Sequence, residues 1–196
     1  CIRDRIIKGH VSLGSLRIRQ DFLIAQALIN KSYENEENYK PMLEMALSRI
    51  RQLSAHEVGH TLGFAHNFAS SVNNRSSVMD YPHPLIKLKE NEIDLSDAYA
   101  NGIGDWDKVT VAYSYSDFDG KNENMELKNI IENANNKGFQ FITDSDARAT
   151  GGSHVNAHLW DNGESISGGL DQILKIRNIA INNFSKFNIK EGDPYT

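Results

Sequence analysis

The segment His56-Glu57-Val58-Gly59-His60-Thr61-Leu62-Gly63-Phe64-Ala65-His66 constrains this chain more than any other stretch. On an α-helix, histidines four residues apart lie about 40° apart around the axis and one turn along it, so both imidazoles reach one point. Neutral imidazole nitrogens at roughly 2.0–2.1 Å suit zinc, and a catalytic zinc takes three protein ligands with a fourth position left open. His66 offers the third nitrogen, because Gly63 permits the backbone conformation that ends a helix and turns the chain back. His56, His60 and His66 are the expected metal ligands.

Two histidines alone would be suggestive; the added Gly63 and His66 at fixed offsets make coincidence a poor account. Glu57 follows the first ligand directly, which places its carboxylate beside the open position and off the metal. From there it can take a proton from water and pass it to a leaving amine. The rival reading makes Glu57 a surface carboxylate on a structural zinc site. Such sites use four protein ligands and usually cysteine.

Composition removes other classes of function. With 196 residues and a net charge of −5, the chain is one ordinary domain in size and has no basic excess for phosphates. Nucleic acid is not an expected partner. No apolar run reaches the roughly 18 residues of a membrane span, and no signal segment opens the sequence. Cys1 followed by Ile2-Arg3-Asp4-Arg5 lacks the small polar tether of a lipid-anchored protein, so a piece cut from a longer chain is the better expectation.

Periodicity sets the local expectations. A strand is expected over Ile6 to Val11 and a helix over Arg17 to Asn30, with Leu23, Ala27 and Leu28 inward. Lys31 to Lys40 reads as a solvated connection. From Pro41, Leu43, Ala46, Leu47, Ile50 and Leu53 recur at helical spacing into the motif, giving a helix over about 41–63. A polar loop runs to Pro84, a short helix spans Asp105 to Tyr115, and another spans Glu126 to Asn136 with Gly138 as its cap. Phe139 to Ile142 reads as a strand, and Leu170 to Phe187 as a helix burying Leu170, Ile173, Leu174, Ile181 and Phe184.

Ser77-Val78-Met79-Asp80-Tyr81 follows the third histidine after a polar loop, and with the long histidine motif it resembles the metzincin clan of metallopeptidases. The resemblance implies that Met79, in a turn over about 77–82, forms an apolar floor beneath the histidines. A gap-filling core methionine is the plainer reading, and both bury the thioether. Tyr81 resembles the metal-approaching tyrosine of some metzincin branches, whose hydroxyl ligates zinc or stabilises the tetrahedral intermediate; a packed tyrosine is the alternative. Gly9 to Asp21, Leu53-Ser54-Ala55, Met79 to Pro82 and Gly104-Asp105-Trp106-Asp107 are similar to zincin-like metallopeptidases of large exported bacterial proteins. That likeness implies an exported location and a longer parent chain, whose remainder is an expected partner. Asn67 departs from branches in which an acidic residue follows the third histidine.

Other candidates carry less. His154 and His158 are four apart but lie in a Gly/Ser-rich stretch, so they are expected as loop histidines. Asp144 and Asp146 lack a regular calcium loop and its closing Glu, which leaves turn chemistry. Trp106 and Trp160 either line a groove or pack at helix junctions.

The expected fold is a zincin-like α+β domain spanning 1–196, mostly helical with a small sheet against the motif helix. The expected function is hydrolysis of peptide bonds in a peptide or protein substrate, with one zinc per chain and Glu57 as general base. The alternative is a zinc-binding scaffold without catalysis.

Overall fold

The computed structural model describes residues 8–147, 149–151 and 154–192. Its helices are α1 (Ser15–Leu28), α2 (Glu36–Thr61), α3 (Asp105–Tyr115), α4 (Glu123–Asn136), α5 (Asp144–Ala147) and α6 (Ile166–Asn183). One antiparallel hairpin joins β1 (Lys87–Lys89) to β2 (Glu92–Asp94). The architecture is thus predominantly helical with a two-stranded sheet. Among the described residues no helix is long and apolar enough to cross a membrane. Two compact units are formed, one from Ser12–Leu53, Pro84–Asn101 and the chain from Ile166 on, the other from Ser54–His83, Gly102–Ser165 and the stretch ending at Val11.

In the first unit, Ala25, Met42, Met45, Ile86, Leu95, Ala98, Tyr99 and Ile176 form the core, with Leu88 and Ile93 of the hairpin packed against it. The hairpin turns through Glu90 and Asn91, both at positive φ (51° and 68°), the pair of left-handed residues that matches strand twist. Register pairs Leu88 with Ile93, which puts both on the inward face. Three-residue strands are too short to announce themselves by alternation, so sequence patterning misses them.

The helix carrying the histidine motif starts at Glu36, ahead of the proline expected to open it, and Pro41 lies inside it. Asn35 accounts for the earlier start, its Oδ1 accepting the Asn38 N–H at 2.9 Å in the manner of a cap. Its buried face also differs. Leu43 is 41% exposed, while Met42, Met45, Ala46, Arg49 and Gln52 are buried. Arg49 is tolerated there because its guanidinium donates to Gln52, faces Asp21 of α1 at 3.9 Å and lies over the Tyr99 ring. The Tyr99 hydroxyl donates to the same Asp21, so this α1 carboxylate is buried while Leu23, expected inward, is half-exposed.

Helix α6 departs from expectation in the same way. Leu170, Ile173, Leu174, Ile181 and Phe184 are exposed, and the helix seats through Ile176 and Ala180, an i, i+4 stripe on another face. Of the strand expected over Ile6 to Val11, residues 8–11 are irregular; Ile6 and Ile7, like Cys1, lie outside the described residues.

The second unit has its own core of Phe68, Ala69, Ile142, Ala147 and Ala157, flanked by Tyr81 and Leu159. The strand expected at Phe139 to Ile142 is absent as a ladder. In its place one side chain supplies the pairing: buried Asn67 donates to Gln140 O at 2.9 Å and accepts the Ile142 N–H at 3.1 Å, while the Phe68 N–H reaches Ile142 O at 2.9 Å. An amide stands where a second strand would be. Gly138, at φ +82°, ends α4 as the sequence implies.

Candidate metal centre

The end of α2 builds the centre locally. Gly63 takes φ +88°, the Gly63 N–H bonds to His60 O at 3.0 Å and the Phe64 N–H to Gly59 O at 3.1 Å. This doubly bonded terminus satisfies carbonyls that the helix end would orphan. It also sends the chain back, so that His66 arrives beside the two helical histidines.

The three imidazoles converge through Nε2. His60 Nε2 lies 3.1 Å from His56 Nε2 and 3.2 Å from His66 Nε2. Nitrogens sharing a tetrahedral zinc at about 2.0–2.1 Å stand roughly 3.3 Å apart. Among the described residues this is the one group of three or more His, Cys, Asp or Glu side chains that could hold a metal ion, its donor atoms all within 4.8 Å of one another. Neither His154 and His158 nor Asp144 and Asp146 form such a group.

The opposite ring nitrogens decide what the convergence means. His56 Nδ1 meets Val78 O at 2.7 Å, His60 Nδ1 meets Phe64 O at 2.9 Å, and His66 Nδ1 meets Asp144 Oδ2 at 2.6 Å. A carbonyl or an ionised carboxylate only accepts, so each neutral ring carries its proton on Nδ1. Three Nε2 lone pairs therefore face one another. Without a cation between them that arrangement is repulsive; with one it is a set of three neutral donors, and the donor chemistry fits zinc. Burial holds the His56 imidazole below its ordinary range, which favours the neutral, ligating form.

Below the histidines, the chain at Ser76 to Met79 is clamped to the start of α3. Asp107 accepts from Ser77 Oγ at 2.6 Å, from Val78 N at 2.9 Å and from Gly104 N at 2.7 Å, while Trp106 N donates to Ser76 O at 2.8 Å. A Cβ on Gly104 would lie 1.9 Å from Ser76 O, so only glycine allows the approach. Val78 thus has its N–H held by Asp107 and its carbonyl engaged by His56. Met79, 3% exposed, puts its Sδ against Gly59 between the helical histidines.

Tyr81 lies against the same rings, 4.6 Å from His66 and 5.3 Å from His56 between centroids, and is also stacked with Trp160 at 5.4 Å. Trp160 is 42% exposed at φ +62°, an unusual backbone for a bulky residue, and its N–H bonds to Tyr81 O at 2.9 Å. Trp106 stacks on Phe141 at 5.8 Å between centroids. Glu57, directly after His56, is half-buried. Asp144, expected from sequence only as turn chemistry, is the contributor whose role sequence reasoning misses, since nothing in its local pattern signals a contact 78 residues away.

A family model described as Met-zincin matches residues 38–196 of the chain. No curated protein and no solved structure matches it.

Proposed function

The chain belongs to the Met-zincin family, and on that premise we propose that it is a zinc-dependent metallopeptidase with His56, His60 and His66 as ligands and Glu57 as general base. The observation that carries this reading is the contact geometry of three rings, each with Nδ1 against an acceptor and with the Nε2 atoms converging on one point.

Zinc, when bound, supplies Lewis acidity toward a water molecule and a peptide carbonyl. In this reading Glu57 would take a proton from the attacking water and return it to the leaving amine, a role supported by its position directly after His56 on α2 and its half-burial. The Tyr81 hydroxyl, in the same reading, steadies charge developing on the carbonyl oxygen, a role supported by the packing of its ring against His66 and Trp160. The buried Met79, its sulfur against Gly59, would on this reading form the apolar floor of the centre. The substrate class in this reading is a peptide or protein, and an exported location belongs to the same proposal.

The test is Glu57→Gln. Zinc content by metal analysis should remain one per chain while chelator-sensitive cleavage of a mixed peptide library disappears. Equal cleavage by variant and wild type would refute the base. Zinc without cleavage in the wild type would point to a non-catalytic zinc-binding scaffold.

A further inference from the structure

We propose that Asp144 is a positioning residue of the metal centre, brought to His66 by the amide of Asn67. The inference rests on the zinc reading above, and concerns how one ligand is oriented rather than whether a metal is used.

His66 differs from its two neighbours in kind. The Nδ1 groups of His56 and His60 donate to neutral backbone carbonyls, whereas His66 faces a carboxylate at 2.6 Å. A charged acceptor makes a stronger hydrogen bond, fixes the Nδ1–H tautomer and enriches the opposite nitrogen in electron density. His66 is also the ligand that needs this most. It lies on the returning loop beyond Gly63, without the helix that fixes the rings of His56 and His60.

The route by which Asp144 arrives explains the residue after the third histidine. Asn67 donates to Gln140 O and accepts from Ile142 N and Ala69 N, holding 140–142 alongside 67–68. Asp144 follows two residues on, at the start of α5. A carboxylate at position 67 could not donate to Gln140 O. The chain thus places an amide beside the ligand to recruit a distant segment, and the negative charge comes with that segment. Asp146 is exposed on the same short helix, while the His66 Nδ1 contact is made by Asp144, so Asp146 serves as a control.

Two readouts separate this proposal from the one it rests on. The first is zinc affinity, measured by competition with a chromogenic chelator on the full chain. Asp144→Ala should weaken zinc by about 10–100-fold, Asp144→Asn by less, and Asp146→Ala not at all; Asn67→Asp should weaken it too. The second is the His66 tautomer in metal-free protein, read by long-range ¹⁵N–¹H NMR. The Nδ1–H form should dominate in the wild type and in Asp146→Ala and give way to the Nε2–H form in Asp144→Ala. Should the alanine variant fail to fold, Asp144→Asn answers in its place. Wild-type affinity and tautomer in both Asp144 variants would overturn the proposal. A wild type that binds zinc with the Asp144-dependent affinity and tautomer yet cleaves no peptide would overturn the peptidase reading alone, whereas one that binds no zinc would overturn both.

Discussion

The Met79 Sδ occupies the place where a side chain at Gly59 would begin: a Cβ on residue 59 would lie 2.3 Å from that sulfur. Gly59 is in the last turns of α2, where alanine would ordinarily gain about 1 kcal/mol in helix propensity. Met79 is buried and has little room to retreat. Gly59→Ala should therefore destabilise the metal-free protein by about 1–2 kcal/mol in urea unfolding, the overpacking cost exceeding the propensity gain. In a Met79→Ala background the same substitution should become neutral or stabilising, a coupling that a double-mutant cycle reads directly. Stabilisation by Gly59→Ala alone would contradict the packing argument.

Asp107 collects three donors with one carboxylate, and asparagine in its place keeps only one acceptor atom. Asp107→Asn should cost about 2–3 kcal/mol of stability, because at least one buried donor loses a charge-assisted bond. Since Val78 also engages His56, zinc affinity should fall along with stability. Unfolding with normal zinc affinity in the folded fraction would uncouple the clamp from the metal centre.

Asp80 gives a pH dependence with a definite sign. Burial pushes its carboxyl up to about 7, against bonds from Ser70 Oγ and Tyr81 N that favour the charged form. The folded state thus holds a proton that the unfolded chain, with its ordinary value of 3.8, has released. Stability falls as pH rises from about 4 to 7, by no more than about 4 kcal/mol. Asp161, also raised by burial, contributes with the same sign. Asp80→Asn should flatten part of that slope in chemical unfolding of metal-free protein at stepped pH; an unchanged slope would rule Asp80 out as its source.

The metal motif was legible because it is local: residues 56–66 carry the spacing, the glycine and all three nitrogens. Helix α3 was legible for the same reason, its bounds set by Gly104 before it and a change of composition after it. What failed was inference from apolar periodicity alone. Buried Asp21, Arg49 and Gln52 satisfy one another, and a pattern of hydrophobic residues cannot register such compensation. The expected strand at Phe139 to Ile142 was half right, since the segment does pair, but with the Asn67 side chain. The link from His66 to Asp144 leaves no local trace at all.

The Gly63 turn has a thermodynamic consequence. All three donor nitrogens, and the carbonyl that orients His60, lie between residues 56 and 66, so even an unfolded chain carries a chelating loop of short span. An ion taken by these histidines would then bind both states, and would add to folding free energy only through the difference between the two affinities. Val78 and Asp144, unavailable to the unfolded chain in fixed geometry, account for that difference. They convert a sticky peptide into a folded state that the ion selects.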